Sequence, residues 1–176
     1  FELISNRIIN NLVDYVLGVE VGLDSNGRKN RGGHLMEDMV ENHLINIGLK
    51  KDVSYFKEMY LQDIEKRWNV NLSTLSNNGK AKKRFDFVVK TNSCIYAIET
   101  NFYGGFGGGS KLNETARSYK MLSEESKNII NFKFVWITDG TAWRSARYNL
   151  EETFDVMDNI YNLSELENGK LKELFK

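Results

Sequence analysis

The chain has 176 residues, 24 Lys plus Arg against 24 Asp plus Glu, 41% hydrophobic residues and 27% charged ones, so it can bury a real core but is not a uniformly basic nucleic-acid binder. No apolar run approaches the roughly 18–20 residues of a membrane span, and no signal peptide with a basic head and a small-residue cleavage site is visible. A lone cysteine, Cys94, excludes an internal disulfide and fits a reducing cytoplasm, and with only two histidines a His/Cys zinc site is nearly excluded, so a bound metal would take carboxylates.

Taken in chain order, residues 2–17 carry Leu3, Ile4, Ile8, Leu12, Val13 and Val16 at helical spacing. Residues 18–33, rich in Gly and Asn, read as a loop. A second helix is predicted over about 33–47, with Leu35, Met36, Met39, Val40, Leu44 and Ile47 along one side. Val53 to Tyr60 predicts a strand and 61–72 a helix, followed by polar Ser76-Asn77-Asn78-Gly79. Two strands follow, Arg84-Phe85-Asp86-Phe87-Val88-Val89 and Cys94 to Asn101, joined by a tight turn at Thr91-Asn92-Ser93. Strict alternation puts Phe85, Phe87 and Val89 on one face of the first strand. On the second it separates Cys94, Tyr96, Ile98 and Thr100 from Ile95, Ala97, Glu99 and Asn101. After a glycine loop at 104–109, Ser110 is the expected N-cap of a helix carrying Leu112, Ala116, Tyr119 and Leu122. Phe132 to Thr138 predicts a core strand stopped by Asp139-Gly140, and the remainder one or two helices, including Ala142 to Met157. This order predicts an α/β fold with a mixed sheet, since the hairpin is antiparallel and the strand–helix–strand unit parallel.

A carboxylate inside a strand of alternating apolar residues needs a reason, and Asp86 and Glu99 are two such carboxylates on neighbouring strands. Glu99 and Asn101 share a face, and Asp86 can converge on them. Held on rigid strands, the two acids suit a hard divalent cation and hence metal-dependent phosphodiester cleavage. The competing reading is a pair of surface acids bridged to lysines. Glu37, one turn after Gly33, offers a third carboxylate, with Glu41 on the same side of the helix. Basic residues cluster at Arg28, Lys29 and Arg31, with Asn30 among them, and again at Lys80, Lys82, Lys83 and Arg84 beside Asp86. Arginine and asparagine are also the side chains that read guanine and adenine, although the same types contact phosphates everywhere. The glycine loop lacks the order of a P-loop. Ser110 and Lys111 nevertheless open a helix whose free amides favour phosphate, with Asn113 and Arg117 further along it. His34 and His43 read as surface or packing residues, and Trp136 and Trp143 as core.

The pattern Gly33-x3-Glu37, then Asp86-x12-Glu99-x-Asn101, resembles the active site of the PD-(D/E)XK nucleases. Longer words are more specific. The segments Gly18 to Arg31, Lys83 to Val88, Ser110 to Lys120 and Trp136-Ile137-Thr138-Asp139-Gly140 look like restriction endonucleases of the DpnII/MboI type, covering roughly residues 10 to 155. The resemblance implies a restriction-endonuclease-like core, with a central mixed sheet flanked by helices. It implies a cytoplasmic, prokaryotic type II enzyme that cuts double-stranded DNA at GATC, before the guanine, with magnesium or manganese. It implies inhibition by adenine methylation from a partner methyltransferase, and a homodimer on its palindromic site. On this view residues 1–176 are one catalytic domain. The start at Phe1, without Met, and the greater length of family members mark it as the C-terminal part of a longer protein.

Carried onto these positions, Asp86 and Glu99 would bind magnesium, with the Thr100 carbonyl as a further ligand and Glu37 holding the metal or its water. Asn101 would orient the attacking water and Lys111 would stabilise the scissile phosphate. Arg28, Lys29, Asn30, Arg31, Lys82, Lys83, Arg84, Ser110, Asn113 and Arg117 would contact DNA. Asn101 stands where the motif has lysine and carries no charge, so either Lys111 or a second metal must replace that charge. The alternative is a catalytically impaired module of the same fold that binds GATC or reads its methylation state.

Overall fold

The computed structural model describes residues 25–75, 82–104 and 109–176, with residues 25–33 and Gly109 described by backbone alone. The predicted helix at 2–17 and the segments 76–81 and 105–108 lie outside the described residues. Helix α1 spans Ser25–Asn46, β1 Tyr55–Tyr60 and α2 Leu61–Trp68. Strand β2 is Arg84–Lys90, β3 Ile95–Phe102, α3 Gly109–Lys127 and β4 Phe132–Asp139. A 3-10 turn at Thr141–Ala146 leads into α4, Arg147–Val156. The short elements β5, Ile160–Tyr161, α5, Leu163–Glu167, and α6, Lys170–Leu174, close the chain.

Among the described residues five strands form one sheet in the order β1-β2-β3-β4-β5. The β1–β2 and β2–β3 pairs are antiparallel, and β3–β4 and β4–β5 parallel. This is the α/β mixed sheet the element order predicts. Helix α1 lays Met36, Val40 and Leu44 on one face, over Phe87, Val89, Ile98, Val135 and Ile137, with Leu163, Leu166 and Leu171 alongside. The other face carries Val88, Ala97, Phe134 and Trp136 under α2, α3 and the 3-10 turn. Each fully buried aliphatic or aromatic side chain contributes about 1.5–3 kcal/mol, so the two layers pin the sheet from both sides.

Several boundaries differ from the sequence reading. Residues 25–32 are not loop but the first turns of α1, because extending a nucleated helix adds a hydrogen bond per residue, enough to offset the roughly 1 kcal/mol cost of each glycine. Ser110 lies inside the first turn of α3 rather than capping it. Helix α2 stops at Trp68, where Asn69 turns left-handed at φ 51°. The segment 142–157 is split by the 3-10 turn, and β5 follows it. The hairpin turn is as expected, with the Thr91 hydroxyl and amide both engaged by Cys94.

Face alternation on β2 also departs from expectation. Phe87 and Val89 pack on the α1 side, but Phe85 packs with Val88 on the α3 side. Strand β1 makes the same step directly opposite, where Glu58 adopts φ 52° between Lys57, which lies over Phe87, and Met59, which packs on the α3 side. A left-handed non-glycine residue costs on the order of 1–3 kcal/mol and persists where surrounding packing imposes it. Both strands therefore change face at the position of Asp86.

Past β4, Gly140 has φ +124°, and a Cβ built there would lie 2.2 Å from the Tyr103 carbonyl oxygen. That contact locks the β4 exit onto β3, where the Ala142 amide donates to the same oxygen at 3.0 Å. Gly140→Ala is expected to destabilise the domain by more than about 2 kcal/mol. Denaturant unfolding measures this, and a loss within experimental error would show that the turn can reshape.

Candidate active site

The β2–β3 ladder is regular from Lys90↔Ile95 to Phe87↔Ile98 and ends there. Two residues further along β3, the Thr100 amide donates to a side chain instead of a strand, reaching Asp86 Oδ2 at 2.7 Å. The Thr100 hydroxyl donates to the same oxygen at 2.9 Å. Asp86 is thus held in the gap where the strands part. It faces along the sheet, which the step in β2 permits and strict alternation would not.

Glu99, one residue back on β3, points to the α3 side as its alternation predicts. Its side chain is 8% exposed. The Tyr119 hydroxyl of α3 donates to Oε2 at 2.7 Å. Lys83 Nζ lies 2.7 Å from Oε1. That contact makes Lys83 the ion-pair partner of a buried carboxylate oxygen. Burial raises the Glu99 pKa above the usual carboxylate range, the Lys83 charge opposes that rise, and the Asp86 charge adds to it. Burial, again with Asp86, also raises Glu37 on α1. Asp86 therefore sits electrostatically between Glu99 of β3, on the α3 side, and Glu37 of α1. Among the described residues no three acidic, histidine or cysteine side chains gather tightly enough to form a ready-made metal cluster.

Asn101 lies next on the Glu99 face. Its Oδ1 accepts the Trp136 indole N–H at 3.0 Å. Since indole nitrogen only donates, Oδ1 is the end of the Asn101 amide turned to Trp136, and the NH2 group is the other end. Trp136 is in turn braced edge-on by Tyr119 and Trp143 at 5.1 and 5.7 Å. The predicted core role of both tryptophans holds. Thr100 contributes its amide and hydroxyl to Asp86, a role distinct from the predicted carbonyl ligand.

The remaining predicted residues are spread out. Lys111 is exposed on the first turn of α3 and makes no ion pair among the described residues. Ser110, Asn113 and Arg117 are exposed and line a cleft of about 610 Å³ with Lys120, Asn149 and Glu152 across from α4. Lys82 is exposed, and Arg84 pairs with Glu58 at 3.1 Å. Arg28, Lys29, Asn30 and Arg31 lie on the opening turns of α1, where only the backbone is described. Glu41 belongs to a separate cluster, bonded by Lys57 at 2.7 Å and Tyr55 at 2.9 Å. Burial pushes its pKa up, but those two donors outweigh burial and lower it. His34 is exposed one turn before Glu37, where its charge opposes the rise in the Glu37 pKa, and His43 is half-buried.

One site residue, Tyr119, escaped the sequence reading, and Lys83 stands in it only as a DNA contact. Tyr119 reads as one more apolar position of α3, yet a buried tyrosine hydroxyl needs a partner, and that requirement was the available signal. Lys83 reads as one member of a basic run, and nothing in the run distinguishes it from Lys82.

The donor set is all oxygen. Asp86 and Glu99 repel each other, and Glu99 Oε1 has coordination to spare. Such a pair fits magnesium or manganese better than zinc. Opposed carboxylates at the point where a mixed, helix-flanked sheet splays open define a domain of the restriction-endonuclease-like fold. The DpnII restriction endonuclease family model matches residues 1–173, and the chain belongs to that family. It is 52% identical over 174 residues to the type II restriction enzyme DpnII of Streptococcus pneumoniae, covering 99% of this chain and 60% of that protein. It is 44% identical over 177 residues to the type II restriction enzyme MjaIII of Methanocaldococcus jannaschii, covering 98% and 59%. Against the type II restriction enzyme MboI of Moraxella bovis the figures are 41% over 169 residues, 96% and 55%. The chain thus spans a little over half the length of these relatives. No solved structure matched the chain significantly. Among the described residues no helix is long and apolar enough to cross a membrane.

A carboxyl whose pKa is raised by folding from its ordinary 4.5 stabilises the fold fully below that value and loses the contribution as pH climbs through the folded one. Without metal, the parent chain should therefore lose stability relative to Glu99→Gln as pH rises from about 4 to 8. Denaturation midpoints of both proteins across that range test this, and parallel curves would contradict it.

Proposed function

We propose that this chain is the catalytic part of a type II restriction endonuclease of the PD-(D/E)XK class, cutting double-stranded DNA at GATC before the guanine and blocked by adenine methylation. The observation that carries the reading is the coupled pair Asp86 and Glu99 at the opening of the sheet, beside Asn101, in a chain related along nearly its whole length to type II restriction enzymes. Family likeness also supports a homodimer, whose two-fold axis would match the palindrome, and a companion adenine methyltransferase.

Asp86 and Glu99 would hold magnesium, which when bound stabilises charge on the scissile phosphate and activates water. Thr100 keeps Asp86 aimed into the gap, and Tyr119 fixes Glu99, so neither carboxylate needs to reorganise. Glu37 would accept hydrogen bonds from water on the α1 side. Asn101, its oxygen occupied by Trp136, would donate its N–H groups to the attacking water or a phosphate oxygen, and it cannot serve as a base. Water attacks phosphorus in line with the departing 3′ oxygen, with no covalent enzyme intermediate. Ser110, Asn113, Arg117 and the exposed lysines Lys82 and Lys111 would hold the DNA backbone, as would Arg28, Lys29, Asn30 and Arg31.

Asp86→Ala and Glu99→Ala are each expected to lower cleavage of GATC plasmid in magnesium by at least about 100-fold while retaining binding to a GATC duplex. Gel analysis of cut ends and band-shift titration read the two effects. Full cleavage by either variant would overturn the metal-site assignment, and tight binding by the parent without nicking in magnesium or manganese would favour a binding module instead.

A further inference from the structure

We propose that Lys83 supplies the positive charge of this active site, the charge that Asn101 does not carry. The inference rests on the nuclease reading above and deepens it. The Asn101 amide is neutral, and its oxygen is committed to Trp136. Lys111 is exposed and bonded to none of the carboxylates. Lys83 alone among the described cations touches Glu99, with 2.7 Å between Nζ and Oε1.

Its placement is specific. The Leu61 amide donates to the Lys83 carbonyl at 2.9 Å, anchoring the approach to β2. The ammonium lies 5.4 Å from the centre of the Phe85 ring and 5.3 Å from that of Tyr119, the residue that also bonds the other oxygen of Glu99. The side chain is 27% exposed, so its tip stands at the mouth of the site rather than sealed within it. One contact with Oε1 engages only part of the ammonium's three donors and leaves the rest for another acceptor. An anionic oxygen of the DNA phosphate, arriving where Glu99 meets solvent, would be that acceptor. Lys83 would have to share that carboxylate oxygen with any divalent cation Glu99 holds, and its ammonium would then turn toward the phosphate.

This competition makes two readouts move in opposite directions. Lys83→Gln should slow single-turnover cleavage of a saturating GATC duplex in magnesium by about 100-fold or more. It should also bind calcium several-fold more tightly than the parent in calorimetry without DNA, because the rival cation is gone. Lys83→Arg, which keeps the charge, should recover most of the cleavage. A merely structural lysine would instead weaken calcium binding and cleavage together, and that result would overturn the proposal. So would Lys83→Gln cutting within about threefold of the parent, or calcium affinity unchanged by the substitution. A parent chain that neither cuts GATC duplex nor binds calcium would overturn the nuclease reading itself. A parent that does both, with Lys83→Gln identical to it, would overturn Lys83 alone.

Discussion

Where β2 leaves β3, the amide of Thr100 takes a carboxylate oxygen of Asp86 in place of a strand carbonyl. An unpaired amide beside a buried threonine would cost about 1–3 kcal/mol, so the divergence of the strands and the position of the aspartate are one requirement. A second donor on the same residue, the Thr100 hydroxyl, removes the remaining freedom of that oxygen. The site exists because the sheet is open there, and the sheet can be open there because Asp86 closes its hydrogen bonding.

The rest of the constellation is arranged around that fixed carboxylate. Glu99 is buried within the field of Asp86 and is held by Tyr119 and Lys83. Asn101 is oriented by Trp136, and the edge-to-face rings of Tyr119, Trp136, Trp143 and Tyr103 pack beside it. Repulsion between Asp86 and Glu99 is tolerated because the core on both sides of the sheet is large enough to impose it. A divalent cation held by the pair would relieve that repulsion.

The comparison of sequence with structure is instructive at particular residues. Alternation on β3 assigned Glu99 and Asn101 to one face correctly, since the parallel ladder with β4 runs unbroken through both residues. Alternation on β2 failed at Phe85, because the strand and its partner β1 step together at Asp86 and Glu58, and only pairing can impose such a step. The surface-acid alternative also contained part of the truth: Glu99 does meet a lysine, but it does so buried, where the charge is costly and so chemically useful.

Residue types and their order determined much by themselves. They specified an α/β domain with a mixed sheet, an antiparallel hairpin carrying two acids, a glycine at the β4 exit, and long words shared with restriction enzymes. Those properties are local or inherited, and spacing along the chain records them. Tertiary structure alone decided which of Lys82 and Lys83 reaches Glu99, which end of its amide Asn101 turns to Trp136, and that Tyr119 is a site residue rather than core filling. These depend on contacts between segments tens of residues apart, and a side chain's direction across such a gap is set by packing, which no periodicity encodes.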